Sequence, residues 1–240
     1  MVLKKRNLFE FVAGDLATRI FSGDVGPGER LATEFELCEE FGVSRTVIRD
    51  ALRVLNSKGL IESRPHSGTL VRGIENWNLL DPQMINWALN MGDREGFFTM
   101  LMETRSALEP SVVDIAAQRA TDAEIAKIDE ACRRMETTSA QKQPDLEGFN
   151  KADIDFHLAI LDATHNLILR QFGALIKVAL LASFGLAVED QEISQESIDA
   201  HRAIVDAIKN RDPAAARQNM ETIATILQEK VQRRHVGAIG

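Results

Sequence analysis

The apolar periodicity of this chain runs helical to Gly59, alternates briefly to residue 72, and is helical again to the end, an order that few folds accommodate. Leu8, Phe9, Val12, Leu16 and Ile20 recur at helical spacing and Ser22-Gly23 closes the run, which predicts a helix over Leu8–Phe21. The turn formers of Gly23 to Glu29 reverse the chain. A second helix is expected over Thr33–Phe41, with Thr33 and Glu36 in capping-box spacing and Gly42 as its stop. Ser44 then caps a third over Arg45–Lys58, whose inward stripe is Val47, Ile48, Ala51, Leu52 and Leu55. Leu60–Ser63 and Thr69–Arg72 read as short strands around the turn Arg64-Pro65-His66-Ser67-Gly68. Three helices followed by a basic-tipped hairpin make a winged helix-turn-helix.

Beyond Gly73 the pattern gives a linker, residues 74–93, in which Pro82 opens a short helix after Asp81. From Arg94 onward amphipathic segments succeed one another at roughly 94–119, 122–138, 146–163, 166–189, 195–210 and 213–234, with breaks at 121–122, 139–144, 165–166, 189–194 and 211–213. The expected architecture is mainly α: a winged domain over 1–73, the linker, and an antiparallel helical bundle over 94–240.

Charge separates the same two parts. Residues 1–75 carry 11 Lys+Arg and 11 Asp+Glu, so the whole net charge of −8 lies on residues 76–240. Within the first part, residues 44–72 hold Arg45, Arg49, Arg53, Lys58, Arg64 and Arg72 against Asp50 and Glu62 alone. A compact basic patch on an acidic protein suits local contact with phosphates rather than general adhesion to nucleic acid. Cys38 and Cys132 are far apart, each in an expected helix, and read as packing residues rather than as a disulfide or metal knuckle. No run approaches the about 18 apolar residues of a membrane span, and the start MVLKKRNLFEF lacks a signal-peptide pattern, so a cytoplasmic location is expected.

A DNA-reading helix needs side chains at its N-terminal end that reach base edges while its other face stays packed. Ser44, Arg45, Thr46 and Arg49 occupy the positions that the apolar stripe leaves outward. Arginine suits bidentate contact with guanine, and Ser and Thr suit phosphates. His66 and Gly68 sit at the wing tip, where a neighbouring minor groove would lie. Two arginines a turn apart also fit a solvated helix face. The segment GERLATEFELCEEFGVSRTVIRDALRVLNSKGLIESRPHSGTLV, however, resembles the winged helix-turn-helix of the GntR family in its PGE turn, its ExELCEEF helix, its GVSRxxxRxAL helix and its GLIxxxxxxGTxV wing. The resemblance implies that Arg45, Arg49 and the wing residues around His66 and Gly68 contact operator DNA. Many members have arginine where this chain has Phe35, which implies one base contact fewer.

The remainder is similar to the FCD effector domain of the FadR-type branch of that family, through MExRSALEPSVVDIAAQRA, NKADIDFHLAILDATHN and SIDAHRAIVDAIKNRDPAAARQNM. The linker WNLLDPQMINWAL is similar to regulators that respond to sugar acids such as galactonate. Asp153 and His157 form DxxxH, which puts a carboxylate and an imidazole on one helix face, and His201 on a later helix could join them. The resemblance implies a metal site of one Asp and three His. Asp153, His157 and His201 match three of these, while Ile223 stands near the expected fourth. Three ligands suit a divalent ion, zinc foremost, with positions open for a ligand's carboxylate. The same histidines also fit a polar core without metal. Arg105 is implied as the effector's carboxylate clamp, with an intrahelical pair to Glu103 or Glu109 as its alternative.

Together these features predict a homodimeric repressor that binds a pseudo-palindromic operator and releases it when a small carboxylate metabolite binds. No enzymatic activity is expected. The alternatives are a metal-dependent hydrolase, for which HExxH or a comparable base is missing, and a regulator answering to metal or to a fatty-acyl ligand.

Overall fold

A computed structural model describes residues 5–64, 66–89, 94–141, 145–187 and 193–237. The chain forms two compact units, Met1–Phe97 and Phe98–Gly240.

The first unit contains α1 (Lys5–Phe21), α2 (Glu34–Phe41), α3 (Arg45–Ser57), the hairpin β1 (Ile61–Arg64) and β2 (Gly68–Val71), and α4 (Pro82–Leu89). The local signals act as read. Thr33 caps α2, its hydroxyl accepting from the Glu36 amide while Glu36 accepts from the Thr33 amide, and Gly42 ends the helix in the left-handed conformation at φ 62°. Ser44 does hold the N-cap position of α3, but its hydroxyl makes no capping bond. The strands begin one residue from their expected positions, pairing antiparallel from Ile61 opposite Val71 to Arg64 opposite Gly68. Pro65, part of the expected turn, lies outside the described residues. Leu16, Leu37, Ile48, Leu55, Leu60 and Ile61 are all essentially sealed from solvent and form the centre of this unit.

Helix α4, from the segment expected as a linker, packs on α1 and contributes Met84 to the same core. The path to it is set at the end of α3. Gly59 has φ 78°, and a Cβ there would collide with the Asn76 carbonyl, so only glycine lets residues 76–78 fold back so closely. The Asn78 amide then donates to the Lys58 carbonyl at 2.9 Å.

The second unit is helical throughout its described residues: α5 (Arg94–Arg119, beginning in the first unit), α6 (Asp122–Ser139), α7 (Leu146–Ala163), α8 (Leu167–Gln171), α9 (Gly173–Ala187), α10 (Gln195–Lys209) and α11 (Pro213–Gly237). Helices α6 and α7 pack side by side, α10 lies against both α6 and α11, and α9 against α7. The single helix expected over 166–189 is two, because the chain turns at Phe172. Gly173 follows, where an added Cβ would stand 3.1 Å from Leu158 of α7, so the break allows a close approach of backbone to that helix. Parts of the expected breaks, 142–144 and 189–192, lie outside the described residues. Among the described residues no helix is long and apolar enough to cross a membrane.

Candidate functional site

At the start of α3, Ser44, Arg45, Thr46 and Arg49 are all exposed, while Val47, Ile48 and Ala51 are buried. The amphipathic split of this helix therefore presents the polar residues outward together. Both arginines also meet one residue of α2. Arg49 Nε donates to the two carboxylate oxygens of Glu34 at 3.1 and 3.0 Å, and Arg45 Nε lies 3.8 Å from one of them. At the hairpin tip His66 is exposed with φ 63°, and Gly68 opens β2 with φ 78°.

The basic patch read from residues 44–72 needs one correction. Lys58 is 9% exposed and its ammonium donates to Asp81 at 2.7 Å, so it belongs to the interior and not to the outer face. Arg53 and Arg64 each pair with a neighbouring acid, Asp50 and Glu62.

In the second unit, α7 and α10 bring Asp153, His157 and His201 together, all buried at 5% exposure or less. One ligand atom from each lies within 4.8 Å of the others. Asp153 Oδ1 stands 3.0 Å from His201 Nε2 and 3.6 Å from His157 Nε2. The opposite ring nitrogens are engaged elsewhere. His201 Nδ1 is 2.6 Å from the Ser197 carbonyl, which can only accept, so Nδ1 carries the proton and in the neutral ring Nε2 presents its lone pair. His157 Nδ1 is 3.3 Å from Glu109 Oε2, a carboxylate on α5 that orients the ring in the same sense. Both Nε2 atoms are buried and, among the described residues, have no hydrogen-bond partner. Two unpartnered imidazole nitrogens and a carboxylate aimed at one point fit a divalent cation better than a satisfied polar core.

Burial pushes the Asp153 carboxyl up, but the adjoining His157 and His201 rings outweigh it and hold the group far below the usual carboxylate range. For Glu109 burial again acts upward, and the charges of Arg105 and His157 bring the carboxyl below its ordinary value. Arg105 donates to both Glu109 oxygens, at 3.0 and 3.3 Å, and is itself 4% exposed. The intrahelical pair is thus formed with Glu109. Among the described residues the buried Arg105 Nη1 has no hydrogen-bond partner. Ile223 is buried and offers no ligand atom.

Comparison with known proteins assigns both parts of the chain to known domains. The pattern described as bacterial regulatory proteins, gntR family, matches residues 8–71, and that of the FCD domain matches residues 100–225. The galactonate operon transcriptional repressor of Escherichia coli K12 is 35% identical over 204 residues, 85% of this chain and 87% of its own. The chain belongs to the GntR family, with an FCD domain. The transcriptional repressor NanR of Citrobacter rodentium is 31% identical, with 92% of this chain and 84% of its own covered. Among solved structures, the Listeria monocytogenes regulator Lar superposes with a TM-score of 0.63 over 97% of this chain and 99% of its own, at 21% identity, which speaks for the fold alone. This GntR-family chain is a ligand-responsive DNA-binding transcriptional regulator.

Two acidic residues of this GntR member stand out only in the structure. Glu34 carries no signal of its own in the sequence, and its grip on Arg45 and Arg49 depends on how α2 packs on α3. Glu109 was visible as a partner four residues from Arg105, the spacing that joins one helix face. Its place beside His157 depends on the packing of α5 near α7, which no local pattern encodes.

Proposed function

We propose that this regulator is a homodimeric repressor that leaves its operator when a small carboxylate metabolite binds in the helical bundle at a divalent ion, zinc by preference, held by Asp153, His157 and His201. The observation that carries this reading is the pair of buried, unpartnered Nε2 atoms facing Asp153 Oδ1. An ion held there would supply positive charge and open positions for a carboxylate or hydroxyl oxygen. Asp153 contributes the negative charge of the ligand set, Glu109 and the Ser197 carbonyl hold the two rings in the ligating tautomer, and the Phe156 ring packs edge-on against both imidazoles at 5.6 and 5.0 Å. Arg105 keeps one buried N–H group to spare for an anion.

The relatives named for galactonate and L-lactate dehydrogenase operons support sugar acids and hydroxy acids as the class to try first. At the other end, Arg45 and Arg49 read base edges, Ser44 and Thr46 hold phosphates, and His66 and Gly68 approach the neighbouring groove. The unused Ser44 hydroxyl supports its share of that role. The protein acts in the cytoplasm, where operator and metabolite meet.

A hydrolytic role is disfavoured because the nearby carboxylate that would serve as base, Glu109, is already engaged by Arg105 and His157. The test is a thermal-shift screen of hydroxy and sugar acids with and without chelator. Stabilisation abolished by chelator supports the metal-held effector. Stabilisation indifferent to chelator removes the metal from the proposal, and turnover of a stabilising acid would overturn the regulator-only reading of this domain.

A further inference from the structure

We infer that Phe35 is a specificity-determining residue of the DNA-reading face, and that it recognises the C5-methyl group of a thymine in the major groove. The inference rests on the assignment of Arg45 and Arg49 as the base-reading pair.

Glu34, the first residue of α2, takes Arg49 on both carboxylate oxygens and lies near Arg45, which ties the first turn of α2 to the side of the reading helix. Phe35 is the next residue and is 60% exposed. It lies two positions before Leu37, the buried residue of α2, so about 200° of helical rotation separates it from the face that packs on the core. Its chain neighbours Thr33, Glu34 and Glu36 are all polar and all engaged, the first and last in the capping box and the middle one with Arg49. A large, mostly exposed apolar ring thus stands on the turn that adjoins the two arginines, outside the core cluster of the domain.

An aromatic hydrocarbon ring has no donor for a phosphate and no acceptor for a base amine. In the major groove, the apolar feature by which one base pair differs from the others is the thymine methyl. Phe35 can therefore discriminate among base pairs there by burying that methyl and, equally, by leaving a polar base edge unsatisfied when another base takes its place. Burial of one methyl corresponds to about a fourfold change in affinity.

The operator sequence itself emerges in the course of the test. The full-length protein selects its site from a pool of duplexes randomised over about three helical turns, and each thymine of the selected half-site is then replaced singly by uracil, which removes only the methyl. One replacement per half-site should weaken the parent protein about fourfold and leave Phe35→Ala unchanged, and Phe35→Arg should change the preferred base at that position alone. Equal sensitivity of the parent and Phe35→Ala to every replacement overturns the inference, as does selection of the same site with the same stringency by both. Failure of the underlying assignment has a different signature: Arg45→Ala and Arg49→Ala would then select the parent's site undiminished, which withdraws the inference as well.

Discussion

Lys58 Nζ and Asp81 Oδ1 meet at 2.7 Å, joining the residue that follows α3 to the residue that precedes α4. The same carboxylate oxygen accepts from the Gln83 and Met84 amides at 2.9 and 3.2 Å, and the ammonium also stands over the Trp87 ring. One oxygen therefore caps a helix and neutralises a nearly buried lysine. Asp81→Ala should destabilise the first unit by about 1–3 kcal/mol, read as a lower urea midpoint. Asp81→Asn should lose less, because it keeps a capping oxygen. Burial raises the Asp81 carboxyl, but the Lys58 and amide hydrogen bonds leave it below its ordinary value. Its contribution is accordingly full above the unfolded carboxylate range and lost as pH falls through the folded value. Equal stability of Asp81→Ala and the parent at pH 7 would show that Lys58 finds water instead.

If Asp153, His157 and His201 hold a divalent ion as proposed, the orientation of His157 by Glu109 predicts an effect on metal affinity from a residue outside the ligand set. Glu109→Gln should weaken zinc binding about 10- to 100-fold in a competition titration against a chromophoric chelator, and Asp153→Asn, which removes a ligand charge, should weaken it further. Identical affinity of the parent and Glu109→Gln would mean that His157 is oriented by packing alone.

Glu34 sits between the two reading arginines, so its removal should act in opposite directions on two kinds of DNA. Glu34→Ala frees positive charge and should tighten binding to random duplex, with a steeper dependence on salt. The same change unfixes the arginine geometry and should reduce the ratio of selected-site to random-site affinity. Arg49→Ala should cost about 1–3 kcal/mol on the selected site. A Glu34→Ala protein with an unchanged ratio would make the carboxylate a bystander.

Acid should unfasten the bundle at α6. Asp129 accepts from Arg133, Arg202 and Lys209, and the Arg133 hydrogen bond leads in holding its carboxyl far below the usual range against an opposing effect of burial. Glu124 is held down to about 2, first by the Thr121 amide of its capping box and then by His165. Both groups have depressed folded values, so their stabilisation is complete above about pH 4, the unfolded carboxylate value, and disappears as pH falls below it. Asp129→Asn should therefore be less stable than the parent at pH 7, by a margin that narrows as pH falls from the unfolded carboxylate range through the folded value. Parallel acid limbs for the two proteins would rule this out.

Legibility in the sequence followed the range of the interaction. Thr33 with Glu36 and Pro82 after Asp81 are signals whose physics closes within four residues, and each marks the helix start it promised. Asp153 and His157 were legible as a pair because i, i+4 spacing alone puts them on one face. His201 lies 44 residues further on and could be joined to them only through the similarity to FCD domains. Lys58 shows the opposite case: counted as surface charge from its neighbours, it is buried because Asp81 folds back on it, 23 residues away. The turn at Phe172 was hidden because the apolar run continues through it, and it is the crowding of Gly173 on Leu158 that marks its place in the fold.

The clasp of Glu34 on Arg45 and Arg49 also bears on how fast an operator is found. A regulator in a cell spends most of its time on DNA of the wrong sequence, and sliding is slowed in proportion to how tightly that DNA is held. If Arg45 and Arg49 read the operator as proposed, their shared carboxylate leaves part of the grip switched off on random DNA, to be recovered where base edges compete for the guanidinium groups. A stronger reader without the clasp would bind more tightly everywhere and arrive later.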